Sequence, residues 1–188
     1  MRRALSFLLA ALLLSWTAVS GADEYSDAIG LFKNAGQSAA FFPKSYGYAV
    51  FPTVGKGGFV VGGAHGTGHV YKHGAYVGDS SLTQLSVGLQ AGAQAYSQII
   101  FFEDRRAFDE FTKGNFEFGA DIDAVAITAA AGVSAGTEGA SAGASGGMKD
   151  ARTAGQYYKG LAVFTIVKGG AMYQATVAGQ KFSFTPKA

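Results

Sequence analysis

Three histidines are the first residues whose type and spacing suggest chemistry. His65, His69 and His73 recur every four residues, and neutral imidazoles are good ligands for transition metals. Stacking the three on one face would require a helix, whereas the glycines around them predict a hairpin whose turn separates His65 from His69. We therefore expect no metal site and no cofactor.

Two serines lie in the pattern Gly-x-Ser-x-Gly, which marks the nucleophile elbow of many hydrolases. The two copies, residues 139–143 and 143–147, occur in a stretch dominated by alanine, glycine and serine. An elbow needs an acid and a histidine later in the chain, so that the base can take the serine proton. No histidine follows His73, so the sequence predicts no catalytic serine.

Acidic residues cluster at three places: Glu103 with Asp104, Asp109 with Glu110, and Asp121 with Asp123. Paired carboxylates can catalyse the cleavage of glycosidic bonds. An enzyme that acts on lipid or glycan of the cell envelope is therefore one functional hypothesis, in addition to the two given at the end of this section. A solvated helix face and helix caps also explain these residues. We expect a non-enzymatic protein.

Lys56 lies among Gly55, Gly57 and Gly58, in a segment that resembles a phosphate-binding loop. The spacing of a nucleotide-binding P-loop is absent. Backbone amides and one lysine could still bind a lipid phosphate. An ordinary turn between strands is the alternative interpretation.

The N-terminus has the layout of a secretory signal peptide. Arg2 and Arg3 precede an apolar run over residues 4–14, and small residues follow, as in cleaved signals. The run is shorter than the roughly 20 apolar residues needed to span a bilayer. We predict a signal peptide over residues 1–22, export to the periplasm or medium, and no membrane span after cleavage.

Residues 23–188 are expected to form a single domain, since this length suits one hydrophobic core. Removing Arg2 and Arg3 lowers the number of Lys and Arg residues from 15 to 13, which equals the 13 Asp and Glu residues. A domain without net charge lacks the positive electrostatic field that attracts nucleic acids. Nucleic acid is therefore not an expected partner, and any attraction to anionic lipid must come from a local patch.

Two segments have the periodicity of amphipathic helices, residues 24–40 and residues 103–113. The other segments are β-prone runs separated by glycine; they cover residues 46–51, 58–64, 68–72, 75–77, 84–95, 161–167, 171–177 and 181–185. Residues 124–147 alternate small side chains and predict a further hairpin, and the last three runs predict a terminal meander. The predicted fold class is α+β and predominantly antiparallel β: a barrel-like or strongly curved meandering sheet with an N-terminal amphipathic helix and one further helix.

Several segments together carry a family resemblance. Residues 42–52 read FPKSYGYAVFP, residues 57–68 read GGFVVGGAHGTG, and residues 157–161 read YYKGL. With these runs the chain resembles the SYLF-domain family over nearly all of residues 23–188. The resemblance implies a lipid-binding module; eukaryotic relatives bind phosphoinositides and link membranes to actin, commonly beside an SH3 domain. An exported protein would meet envelope lipids instead, so the expectation carried over is general lipid binding.

Two functional hypotheses follow. The first is binding of anionic phospholipid at the envelope, because several lysines beside aromatic rings give reversible attachment to a membrane. The predicted lipid-binding residues are Lys33, Lys44, Lys56, Phe32, Phe41 and Phe42, with Phe41 and Phe42 expected to be exposed. The second is a structural protein that self-associates or packs against another envelope protein through the small-residue hairpin.

Overall fold

A computed structural model describes residues 21–58, 61–87, 94–119, 124–127, 156–169, 177 and 179–188. The helices are α1 (Gly21–Asn34), α2 (Gly36–Ala39) and α3 (Arg105–Phe111). The strands are β1 (Gly47–Gly58), β2 (Val61–Lys72), β3 (Ala75–Val87), β4 (Gln94–Phe102), β5 (Phe116–Glu117), β6 (Ala124–Ile127), β7 (Leu161–Gly169) and β8 (Lys181–Pro186). Within these ranges, no helix is long and apolar enough to cross a lipid bilayer.

The strands form one sheet in the order β5-β8-β3-β2-β1-β4-β7-β6. Neighbouring strands are antiparallel except β6 and β7, which run parallel. The sheet curls into a half-barrel. This architecture confirms the predicted fold class.

The central strand β1 contains a proline, which cannot donate a hydrogen bond to a neighbouring strand. The register of β1 shifts between Phe51 and Val54 against β4, and between Val50 and Val54 against β2. The carbonyl oxygen of Pro52 accepts a hydrogen bond of 2.6 Å from the buried Ser97 hydroxyl. A bulge therefore accommodates the proline without interrupting the strand.

The inner face of the sheet carries the larger core. Phe51, Leu82, Ile100 and Phe182 belong to one buried cluster, together with aromatic residues from α3. Strands from both sides of the sheet contribute to this cluster, which is possible because the sheet curls around it. A fully buried hydrogen-bonded pair, Gln98 and Gln180, ties β4 to the segment before β8.

The outer face is divided into two parts. Helices α1 and α2 cover β1, β4 and β7, and bury a second cluster. Across β2, β3 and β8, the outward face also carries charged and imidazole side chains, but five of its residues are hydroxylated and at least partly exposed: Thr67, Ser81, Thr83, Ser183 and Thr185. We call these five residues the hydroxyl face.

Several local predictions can be compared with this structure. The helix predicted over residues 24–40 is present but divided at Ala35, and the second predicted helix is confirmed as α3. The hairpin expected between His65 and His69 is wrong, because β2 runs unbroken from Val61 to Lys72. The turn comes later, where His73 and Gly74 both adopt positive φ angles of 48° and 80°.

Of the single strand predicted over residues 84–95, residues 84–87 end β3 and residues 94–95 begin β4; Gln84 is buried and Leu85 is 85% exposed, so at these two positions the polar side chain faces the core. Residues 88–93 lie outside the described residues, as do most of the predicted hairpin at 124–147 and most of the run at 171–177. Strands β7 and β8 lie on opposite sides of the sheet. Four other strands lie between them, so they are not the outer strands of a three-stranded terminal meander, and that prediction is wrong.

Candidate functional site

Five of the six predicted lipid-binding residues meet at one corner of the fold, where α1 ends and the chain passes through α2 into β1. Phe32 is fully buried and Phe41 is 6% exposed, so both belong to the core under the helices. The expectation of an exposed Phe41 is wrong, and Phe42 is half-buried. Phe32 and Phe41 therefore pack inside the core beneath this corner and do not project into solvent.

The local sequence explains the sharp course of the chain here. The Ser38 hydroxyl, which is fully buried, donates a hydrogen bond of 2.6 Å to the carbonyl oxygen of Phe32. After α2, the backbone amides of Lys44 and Ser45 both donate to the carbonyl oxygen of Phe41. Two features thus fix the course of the chain at this corner. One is the hydrogen bond from the Ser38 hydroxyl to a buried carbonyl, and the other is the turn that includes Lys44.

A cleft of about 380 Å³ opens at this corner. We call it the corner cleft; its lining residues are Ala40, Phe41, Lys44, Glu103, Gln156 and Tyr157. The ring of Tyr157 packs edge-on against Phe41, with 5.0 Å between the ring centroids. The cleft therefore has an aromatic wall with one ammonium and one carboxylate group at its edge.

The hydroxyl of Tyr157 is the most unusual polar atom of the cleft. It is buried and has no hydrogen-bond partner within the described part of the chain. Burial, and secondarily the charge of Glu103, raise the pKa of Tyr157 to about 12. At neutral pH the hydroxyl is therefore protonated and is a hydrogen-bond donor.

Lys33 and Lys44 are both exposed at this corner. The Lys33 ammonium lies 5.4 Å from the centroid of the Phe42 ring, within reach of a cation–π interaction. The next residues along the chain after Tyr157 form a similar pair: the Lys159 ammonium lies 5.4 Å from the centroid of Tyr158, which is 37% exposed, although Lys159 lines a different cleft. Lys44 is therefore the basic residue that lines the cleft itself.

Lys56 does not belong to this group. It lies near the far end of β1, paired with Ala64 and Gln94, whereas Lys44 precedes the start of the strand. At about 3.3 Å per residue, the nine residues from Gly47 to Lys56 separate it from the corner by roughly 30 Å. Because of this distance, the three lysines do not form one patch; partial burial also lowers the pKa of Lys56.

The histidines contribute a different cluster. His69 stacks on Tyr25 of α1 with ring centroids 3.4 Å apart, and its Nε2 lies 3.4 Å from Oδ1 of Asp79. Burial lowers the pKa of His69 although the charge of Asp79 opposes the shift. Among the described residues, no group of three His, Cys, Asp or Glu could hold a metal ion. His69 instead helps to attach α1 to the sheet.

Reasoning from the sequence missed Glu103 and Tyr157 as members of the site. Tyr157 begins the YYKGL run that contributed to the family resemblance. The sequence thus marked this segment, but nothing in it indicated that Tyr157 lines a cleft. Glu103 was interpreted as part of a solvated acidic pair. Their proximity to Lys44 depends on chain segments far apart in sequence.

Comparisons with known proteins identify the family of this chain. A family model described as "Ysc84: Las17-binding protein actin regulator" matches residues 83–187, which is more than half of the 188-residue chain. The chain is also similar to Beta cell expansion factor A of Aeromonas veronii, with 29% identity over 164 residues. That match covers 82% of this chain and 51% of the relative, so the chain spans about half the length of the curated relative it matches. The chain therefore belongs to the Ysc84 family, whose domain is the SYLF domain, and the predicted resemblance is confirmed.

Proposed function

We propose that this protein is a non-enzymatic binder of anionic phospholipid and that the corner cleft receives the headgroup phosphate. The observation that carries the proposal is the buried Tyr157 hydroxyl, a donor without a described partner in a cleft that also contains Lys44. An unsatisfied buried donor costs about 1–3 kcal/mol. A phosphate oxygen would satisfy this donor and neutralise the lysine.

The surroundings of the cleft support attachment to a membrane surface. Lys33, Lys44 and Lys159 are exposed, and a lysine near an anionic bilayer contributes about 1 kcal/mol. Tyr158 adds a partly exposed ring, and tyrosine favours the interface between water and lipid. Together these groups would give weak, reversible and salt-sensitive binding.

Glu103 opposes this binding, because its carboxylate lines the same cleft as the proposed phosphate site. A headgroup that carries a hydroxyl or an ammonium beside its phosphate could place that group near Glu103. The carboxylate would thereby favour a headgroup larger than a bare phosphate. Its repulsion of a simple anion makes its removal an informative variant.

The test is co-sedimentation of the purified protein with vesicles of phosphatidylcholine alone and of phosphatidylcholine mixed with phosphatidylglycerol, at low and high salt. We expect binding to the mixed vesicles that falls with salt, and at least tenfold weaker binding for the Lys33→Gln/Lys44→Gln variant. The matched control is Lys113→Gln, since Lys113 is an exposed lysine outside the cleft. Equal loss in the control, or no binding by the parent protein, would contradict the proposal.

We also infer that residues 1–22 are a signal peptide, that the protein is exported to the periplasm or medium, and that residues 23–188 act as one lipid-binding unit. For this reason lipid is the partner carried over from the family, and actin is not. N-terminal sequencing of protein recovered from the periplasm and medium tests the inference. An intact N-terminus on cytoplasmic protein would contradict it.

Self-association is a second candidate function, and one observation favours it. Leu85 is 85% exposed near the end of β3, which is unusual for a large apolar side chain on a sheet. Analytical ultracentrifugation at increasing protein concentration should then show oligomers that Leu85→Ser reduces. A monomer at every concentration would reject this candidate.

A further inference from the structure

A second cleft, of about 320 Å³, lies beside the hydroxyl face. Strands β3 and β8 form one side, and residues 114–117 form the other. Its volume is at the low end of the roughly 300–1,000 Å³ found for small-molecule sites. None of the residues proposed to bind lipid lines this cleft.

Its polar side chains are arranged in rows across adjacent strands. Lys181 of β8 is paired in register with Thr83 of β3 on one side and with Glu117 of β5 on the other. The Lys181 ammonium lies 3.5 Å from a carboxylate oxygen of Glu117. This row therefore presents a hydroxyl, an ammonium and a carboxylate side by side.

A second row lies two residues along the strands. Ser81 is paired with Ser183, and their hydroxyl oxygens are 2.7 Å apart. The backbone amide of Ser81 also donates to the Ser183 hydroxyl. Each hydroxyl can both donate and accept hydrogen bonds. The pair can therefore either donate a hydrogen bond to a ligand hydroxyl or accept one from it.

The cleft also has an aromatic component. Phe116 lines it and is only half-buried, with its ring packed among Phe111, Phe118 and Phe182. Packing on several sides fixes the ring in position. Because Phe116 is paired in register with the buried Phe182, its ring faces the inner core and not the row of hydroxyl groups, which leaves hydrogen bonding as the means of recognition in this cleft.

The charge balance identifies the class of ligand. The ammonium of Lys181 is paired with Glu117, so the cleft has no excess charge to attract an anion. Its remaining polar groups are neutral donors and acceptors. We propose that this cleft binds a neutral oligosaccharide, with hydroxyl groups of one sugar unit hydrogen-bonded to Ser81, Ser183 and the Lys181–Glu117 pair.

The test is an NMR titration of the ¹⁵N-labelled protein with three probes, cellopentaose, maltopentaose and chitopentaose, at millimolar concentration. At least one probe should shift the amide signals of Ser81, Lys181 and Ser183. In the Ser81→Ala/Ser183→Ala variant, the loss of two hydroxyls should weaken that binding about tenfold. Thr67→Ala is the matched control, because Thr67 is paired with Ser81 on the same face but does not line the cleft.

Either of two results would overturn the proposal: no probe shifts these signals, or the double variant binds as tightly as the parent protein. The double variant should bind phosphatidylglycerol vesicles normally, because neither serine lies in the corner cleft. Failure of the sugar proposal is therefore distinguishable from failure of the lipid proposal. All three substituted side chains are at least partly exposed, so the variants should fold.

Discussion

The outward side chains of this sheet differ between the part that helices cover and the part that they leave uncovered. Where α1 and α2 lie over β1, β4 and β7, outward residues are large and apolar, such as Val50, Ile99 and Phe164. Across β2, β3 and β8, the outward positions are mostly polar, and they include the five serine and threonine residues of the hydroxyl face.

Both proposed sites lie at edges of these two parts. The corner cleft opens where the helical cover ends, and the second cleft opens where residues 114–117 rise beside the hydroxyl face. A covered face stabilises the fold through burial, whereas an uncovered face keeps its hydrogen-bonding groups available to ligands. We therefore expect substitutions under the helices to lower the free energy of unfolding, and similar substitutions on the uncovered face to change it little.

The largest effect should come from removing the ring that α1 buries. Phe32 is fully buried under the helical cover, and a buried Phe→Ala change typically lowers the free energy of unfolding by about 3–5 kcal/mol. Urea denaturation of Phe32→Ala should show this loss. The adjacent change Leu31→Ala, at a residue that is 45% exposed, should lower it by about 1 kcal/mol or less. Equal losses would mean that α1 does not cover the sheet as described.

The next effect compares a hydroxyl under the cover with one on the hydroxyl face. Ser38→Ala leaves the buried carbonyl of Phe32 without its 2.6 Å donor, which should lower the free energy of unfolding by about 1–3 kcal/mol. Thr67→Ala, at an exposed position, should change it by about 0.5 kcal/mol or less. Chemical denaturation of both variants checks the comparison, and a larger effect for Thr67 would reverse it.

Tyr157→Phe should separate stability from binding. Removing a buried hydroxyl that has no described partner should leave the free energy of unfolding unchanged or raise it slightly, by up to about 1 kcal/mol. The same change should weaken binding to phosphatidylglycerol vesicles about tenfold, because the phosphate loses one donor. If the variant is less stable and binds normally, the hydroxyl is structural.

Glu103→Gln should strengthen binding to anionic vesicles about threefold, since it removes one like charge from the cleft. It should also lower the pKa of Tyr157 from about 12, to which the Glu103 charge contributes. Burial, the larger cause, remains, so that pKa should stay above its ordinary value. NMR titration of tyrosine labelled at the ring carbon bonded to oxygen measures this shift. An unchanged pKa would show that Glu103 does not act on the cleft.

The smallest effect concerns acid and the attachment of α1. Burial lowers the pKa of His69 in the folded protein, so the unfolded chain, with an ordinary pKa of about 6.5, binds the proton more readily. This contribution to stability is present above about pH 6.5 and is lost as the pH falls toward the folded value. His69→Gln should reduce this part of the pH dependence in thermal melts at pH 7.5 and 5.5. An identical pH dependence would show that His69 does not titrate differently on folding.

Much of the fold could be predicted from local patterns. The β-prone runs of β7 and β8 and the helical spacing in α1 and α3 are local patterns, and such patterns can be recognised in a single sequence. An additional turn was predicted within β2 because the glycines at 66 and 68 were interpreted as breakers. In the structure, their missing side chains give space to the neighbouring strand: an added Cβ at Gly68 would lie 2.6 Å from the Phe51 ring.

The candidate site was predictable only in part. Lys33, Lys44 and the phenylalanines of the corner are near one another in sequence, so their proximity follows from the helix and the turn. Lys56 was grouped with them on residue type alone, and the length of β1 separates it. Exposure was also misjudged for Phe41, because a single sequence does not show which side of a tight turn packs against the sheet.

The sequence by itself determined the mainly antiparallel character of this protein, its helical segments and the family to which it belongs, because these depend on periodicity and on runs of adjacent residues. Only the tertiary structure decided that Tyr157 and Glu103 meet Lys44 in one cleft and that Ser81, Ser183 and Glu117 meet Lys181 in another. Both clefts join residues from distant parts of the chain. Their formation depends on sheet order and on the curl of the half-barrel, which arise from burying one shared core rather than from any local pattern.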